Sequence, residues 1–107
     1  MPTEYNKLVR DRIPDIIRQH GHSCDAETMD EEAYRQALRA KLVEEATEVA
    51  AAANEHELLT ELADVYEVMA ALMTTYEITL AAVHTMQEQR RIKRGGFAQR
   101  ICLLRTY

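Results

Sequence analysis

Apolar residues recur along this chain at three- and four-residue steps, the period of helices that bury one face, and glycine and proline seldom interrupt them. From about 30 to 53, Leu38, Leu42, Ala46, Val49 and Ala53 form one stripe in a stretch rich in the helix formers Ala, Leu, Glu and Arg. From about 55 to 76 the seam is Leu58, Leu62, Val65, Met69, Leu72 and Tyr76. A third segment, about 80 to 93, carries Leu80, Val83, Met86 and Arg90 on one side. Between these run the signals that start and stop helices. Pro14 suits the first turn of a short helix over Asp15–His20, and Gly21 suits its end. Residues 22–28 read as loop. Thr28-x-x-Glu31 is a capping-box pattern with Asp30 as rival cap, Asn54 can end one helix and cap the next, and Thr79 can cap the third. Gly95-Gly96 stops that helix, and residues 97–104 are weakly strand-like, able to pack back on the bundle.

The pattern predicts an all-α fold in a single domain, 1–107: a helical bundle of three long helices plus a short N-terminal one. So short a connection at Asn54 makes the first two long helices antiparallel neighbours. The middle helix is apolar over a wide arc that also takes in Ala63, Tyr66, Ala70 and Met73. Such an arc asks for burial on more than one side. The simplest partner is a second copy, so the four-helix-type core is expected to be completed by oligomerisation. Tyr66 and Tyr76 are read as core residues before stacking platforms.

Charge changes the picture more than composition does. The net charge is −5, which argues against a general nucleic-acid binder. Fifteen acidic residues and only three basic ones, Arg35, Arg39 and Lys41, lie between Cys24 and Glu88, while the other ten basic residues sit towards the two ends. An acidic middle with basic ends suits a metal held centrally and anionic groups held by the ends, or else a solvated surface with terminal arms. No apolar run approaches a membrane span, and the start Met-Pro-Thr-Glu-Tyr-Asn-Lys has no apolar signal core, so a cytoplasmic protein without a membrane partner is expected. Cys24 and Cys102 are far apart and read as reduced thiols.

The candidate chemistry lies in the acids. Glu44-Glu45-x-x-Glu48 falls on the first long helix and Glu61-x-x-Asp64 on the second. Spacing of i,i+3 puts each pair on one face, and antiparallel packing lets the pairs converge. Glu45 lies between Leu42 and Val49, and Glu61 among Leu58, Leu62 and Val65, on the side an ordinary surface carboxylate avoids. Carboxylates gathered in a partly dry site repel one another unless a cation compensates. A hard divalent ion, Mg²⁺ or Mn²⁺, fits oxygen ligands, and without histidine or cysteine nearby zinc has little support.

At these residues the sequence resembles the MazG-like, all-α NTP pyrophosphohydrolases. Glu44-Glu45-x-x-Glu48, twelve residues, then Glu61-x-x-Asp64 is similar to their EExxE…ExxD signature. Tyr5-Asn-Lys-Leu-Val-Arg-Asp-Arg-Ile-Pro-Asp-Ile-Ile17 and Lys93-Arg-Gly-Gly-Phe97 resemble one branch, the house-cleaning noncanonical-NTP pyrophosphatases, relatives of phosphoribosyl-ATP pyrophosphohydrolase. The resemblance implies Mg²⁺-dependent cleavage of an NTP or dNTP between the α and β phosphates, giving a monophosphate and pyrophosphate. It implies Glu45, Glu48, Glu61 and Asp64 as direct metal ligands, and Glu44, together with Glu45, as catalytic, with Glu44 orienting and deprotonating water or supporting the ligands. Lys7, Arg10, Arg12, Lys93 and Arg94 would hold the phosphates. For Lys7, Arg10 and Arg12 the competing expectation is salt bridging with Asp11 and Asp15, and for Gly95-Gly96 a plain helix stop. Members of the superfamily generally work as dimers or tetramers, so a homodimer or homotetramer is implied. Two alternatives stay open: action on phosphoribosyl-ATP, and a non-catalytic helical module that binds nucleotide or dimerises.

Overall fold

A computed structural model describes residues 3–107; Met1 and Pro2, where the stretch read as lacking a signal core begins, lie outside them. The chain forms two compact units that divide after Tyr76. Helices α1 (Ile13–Gln19), α2 (Glu31–Ala51) and α3 (Glu55–Thr75) belong to the first, and α4 (Leu80–Arg94) to the second. No strand occurs among the described residues, so the expected all-α class is the one the chain adopts.

Local chemistry sets each boundary. Helix α1 starts at Ile13, two residues earlier than the pattern suggested, with Pro14 in its first turn. It ends where Gly21 takes a φ of 83°, a conformation that costs glycine little. At α2 the cap is Asp30 and not Thr28. Extended Asp30 accepts a 2.8 Å hydrogen bond from the Ala33 N–H, a contact worth about 1 kcal/mol in typical helices. Helix α2 stops at Ala51, short of the expected 53, because Ala52 turns out of the helix and the Ala53 N–H donates instead to Glu57 Oε2 at 2.8 Å. Asn54 caps α3 as the sequence indicated, its Oδ1 accepting from the Glu57 N–H at 2.9 Å.

This short corner folds α2 and α3 into an antiparallel pair. Leu38 and Val68 are its buried apolar residues, flanked by half-buried Tyr34, Leu42, Val49, Val65, Met69 and Leu72. Val68 is absent from the expected seam, whereas Ala46, Ala53, Leu58 and Leu62 belong to it and are exposed. The inner face of α3 is rotated towards Glu61, Asp64, Val65 and Val68, so two carboxylates share it with the apolar residues. Its outer arc is bare: Ala63 and Ala70 are exposed, and Tyr66, expected in the core, is 70% exposed.

At the far end of the pair, Arg35 closes the C-terminus of α3. It donates to the Thr75 carbonyl and hydroxyl, pairs with Glu31 at 2.8 Å and lies 4.3 Å above the Tyr76 ring. Arg39 donates to the Tyr76 hydroxyl at 2.9 Å. These contacts satisfy a terminal carbonyl and set positive charge at the negative end of the helix dipole.

In the second unit Thr79 caps α4, its hydroxyl accepting from the Ala82 N–H at 3.1 Å. Arg91, Lys93 and Arg94 fill the last turn, where cations suit the dipole, and Gly95, with φ 83°, ends it. Residues 97–104 are irregular and not strand-like. A strand needs a neighbour to complete its ladder, and none pairs with this stretch; Ile101, Leu103 and Leu104 are exposed. No described helix is long and apolar enough to cross a membrane.

Candidate active site

Midway along the α2–α3 pair the two acidic motifs meet. One carboxylate oxygen each from Glu45, Glu48, Glu61 and Asp64 lies within 4.8 Å of the others. The convergence follows from the helix period, which puts Glu45 and Glu48 on one face of α2, Glu61 and Asp64 on one face of α3, and both faces towards each other. Glu45 is 6% exposed, Glu61 and Asp64 are half-buried, and Glu48 stands at the rim.

Electrostatics within the cluster are unfavourable. Burial pushes the Glu45 carboxyl above its ordinary value, and hydrogen bonding with Glu48 and the charges of Glu48 and Asp64 push the same way, against partial relief from Lys41. Glu61 is also raised, first by hydrogen bonding with Glu48, then by burial and by the charges of Glu48, Asp64 and Glu45. One oxygen on each of these two residues, Oε2 in both, is buried without a hydrogen-bond partner. Buried polar atoms normally find partners, and a bare carboxylate oxygen is among the costliest to leave alone. All four groups offer hard oxygen donors, so the residues fit a divalent cation that prefers oxygen ligands, whose charge would offset the repulsion gathered here.

Three cationic side chains border the acids. Lys7 Nζ lies 3.4 Å from Glu44 Oε1, and Arg10 Nη2 lies 2.7 Å from Asp64 Oδ1. Lys41 Nζ is 3.5 Å from Glu44 and 3.7 Å from Glu45. Glu44 therefore differs from its neighbour. Burial raises its pKa, but Lys41 and Lys7 more than offset this, and the net shift is downward. It stays ionised at neutral pH and accepts hydrogen bonds.

The expected local pairing of the N-terminal cations with Asp11 and Asp15 is not what forms. Lys7 and Arg10 reach across to Glu44 and Asp64, while Asp15 pairs with Arg18 at 3.5 Å. Local charge matching cannot foresee contacts that span 37 and 54 positions. Arg12 caps α1 through its backbone and lines a cavity of ≈ 510 Å³. That cavity reaches from Glu45 and Asp64 over an apolar floor that includes Leu38 and Val68. Lys93 and Arg94 are exposed in the last turn of α4, in the second unit. Lys41 is the site residue that sequence reasoning passed over. Its signal was present, since a lysine three and four positions before Glu44 and Glu45 is placed to pair with both.

Known proteins resemble this chain over part or most of its length. A protein of Mycolicibacterium smegmatis (strain ATCC 700084 / mc(2)155), described as uncharacterized, is 48% identical over 46 residues. The stretch covers 43% of this chain and 47% of that protein, so the match extends over about half of the relative. No solved structure matches. The family described as phosphoribosyl-ATP pyrophosphohydrolase matches residues 3–91, which take in the N-terminal cations, both acidic motifs and most of α4. On that extent of match the chain belongs to the phosphoribosyl-ATP pyrophosphohydrolase family, within the MazG-like all-α superfamily whose signature it carries.

Proposed function

We propose that this chain is a Mg²⁺-dependent nucleoside triphosphate pyrophosphohydrolase, cleaving an NTP or dNTP, noncanonical ones included, between the α and β phosphates. The observation that carries the reading is the convergence of Glu45, Glu48, Glu61 and Asp64 within 4.8 Å, with two buried oxygens that no protein donor satisfies. Family membership supports the reaction class, since pyrophosphohydrolysis is common ground for the superfamily.

In this reading Glu45, Glu48, Glu61 and Asp64 hold the metal, Mg²⁺ or Mn²⁺. When bound, the ion neutralises charge that develops on the phosphates during attack by water. Glu44, held ionised by Lys7 and Lys41, orients that water and accepts its proton. Arg10, Arg12 and Lys7 hold the phosphates from the N-terminal side, and Lys93 and Arg94 are assigned the same task. The ≈ 510 Å³ cavity beside Glu45 and Asp64 has room for the nucleoside. Its apolar floor suits a base and its charged rim suits a sugar phosphate.

The protein works as a homodimer or homotetramer in the cytoplasm. The support is physical: α3 leaves Leu59, Ala63, Tyr66 and Ala70 exposed, and only Leu38 and Val68 are buried apolar residues among those described. A second copy on that arc would supply the missing core.

A second reading, hydrolysis of phosphoribosyl-ATP, uses the same site and rests on the family match. Pyrophosphate release from a panel of canonical and modified NTPs and phosphoribosyl-ATP, with Mg²⁺ and with EDTA, tests both. Metal-dependent release with a nucleoside monophosphate as co-product is expected from an NTP. Release from phosphoribosyl-ATP alone favours the second reading, and release from no nucleotide by folded protein contradicts both.

A further inference from the structure

We propose that Arg10 is a positioning residue that couples metal entry to phosphate binding, by standing in for a cation at Asp64 until a phosphate draws it away. The inference rests on the metal-centre reading above. It starts from a conflict in the geometry. Asp64 is one of the four converging carboxylates, yet its Oδ1 is held at 2.7 Å by the Arg10 guanidinium, the shortest ion pair in the cluster. A guanidinium on one oxygen of a carboxylate and a doubly charged ion at the same group repel each other, and both draw on the same negative charge.

Arg10 is built to change partners. Its side chain is 57% exposed and that of Asp64 is 32% exposed, so water screens the pair and its rupture is cheap. Its backbone is fixed where its side chain is not, since the Arg10 carbonyl accepts a 3.0 Å hydrogen bond from the Ile13 N–H at the start of α1. Arg10 and Arg12 both line the cavity that opens beside Asp64. A phosphate arriving there meets a guanidinium a side-chain rotation away, with donors matched to its oxygens. Lys7 stands in the same relation to Glu44, at a looser 3.4 Å.

The energetic consequence is coupling. Metal alone must displace or tolerate Arg10 and so binds weakly. A phosphate alone must draw Arg10 from Asp64 and expose an uncompensated carboxylate. Together each removes the other's cost, because the metal takes Asp64 and the phosphate takes Arg10. Linkage makes the effect reciprocal. The site is thereby protected from filling with metal unless a phosphorylated ligand is present.

The test is calorimetric titration of the full chain with Mn²⁺ alone, and with Mn²⁺ in the presence of inorganic pyrophosphate, for wild type, Arg10→Gln and Arg10→Lys. Wild type should bind Mn²⁺ roughly five- to tenfold more tightly when pyrophosphate is present. Arg10→Gln should tighten binding of Mn²⁺ alone by a similar factor and lose the enhancement, while Arg10→Lys keeps part of both behaviours. Unchanged or weaker Mn²⁺ binding in folded Arg10→Gln would overturn the proposal, because it is what a residue that merely orients Asp64 would give. Should Arg10→Gln fail to fold by circular dichroism, wild type and Arg10→Lys decide through the presence or absence of the pyrophosphate enhancement. No Mn²⁺ binding to wild type under either condition would instead remove the metal-centre reading itself.

Discussion

The α2–α3 pair carries charged groups at its middle and at one end, and the two places solve opposite problems. At the end, Arg35 meets Glu31, the Thr75 carbonyl and hydroxyl and the Tyr76 ring, so its charge is answered by the chain. In the middle, Glu45 and Glu61 keep a buried oxygen each with nothing to accept from, beside two further carboxylates. A charge answered internally serves the fold. A cluster answered only in part destabilises the fold until something else arrives, and is the better candidate for function. The helix pair thus joins a site that holds it together to one that works against it.

Substitution at the two places should separate them. The largest effect is expected in the middle: Glu45→Gln, Glu48→Gln, Glu61→Gln and Asp64→Asn should each lower turnover by about a thousandfold or more, comparable to losing a central charge-stabilising group. Their metal-free helical content should persist and their melting temperature hold or rise as repulsion is relieved, measured by circular dichroism. Near-normal rates in two of them would remove the ligand assignment. The mirror image is expected at the end. Arg35→Ala should cost about 1–3 kcal/mol in urea unfolding while kcat of the surviving folded enzyme is kept. A loss of kcat without loss of stability would dissolve the distinction.

Acidity sharpens the contrast through sign. Glu45 and Glu61 have raised pKa values in the metal-free fold. Their stabilising contribution is therefore complete below the ordinary value of 4.5 and lost as pH rises through the raised values. Glu44 is lowered, so its contribution is present above 4.5 and lost as pH falls through its lowered value. Protons and metal compete for Glu45 and Glu61, so the rise in melting temperature produced by Mn²⁺ should shrink on going from about pH 7.5 to about pH 5. A metal-induced shift that stays constant over that window would contradict the assignment. The smallest effect belongs to the two basic ends of the chain. Lys7→Ala and Lys93→Ala should chiefly raise KM, by several-fold, as expected for exposed phosphate contacts. An unchanged KM in both would remove the basic ends from the substrate site.

What was legible in the sequence was local or periodic. The caps at Asn54 and Thr79, the stop at Gly95 and the i,i+3 acids each depend on neighbours within a turn, and each reads correctly. Apart from helix ends displaced by a residue or two and the overlooked Lys41, what failed depended on distance. Val68 displaced Leu58 and Leu62 from the seam because the inner face of α3 is set jointly by packing and by the carboxylates it shares with α2. The pairing of Lys7 with Glu44 and of Arg10 with Asp64 was invisible because residues 3–12 form no helix, and no period relates them to α2 or α3. The tail misled for a further reason. A short apolar run such as that at 101–104 suits a strand but does not supply the neighbour that makes one.

On the reading developed above, the acidic cluster is the metal centre of an α–β phosphate hydrolase. Phosphorus NMR of products from the preferred nucleotide, with Mg²⁺ and after its removal by EDTA, tests this most directly. Nucleoside monophosphate and pyrophosphate are expected with Mg²⁺ and neither without it. Nucleoside diphosphate with inorganic phosphate, or turnover indifferent to EDTA, would contradict it.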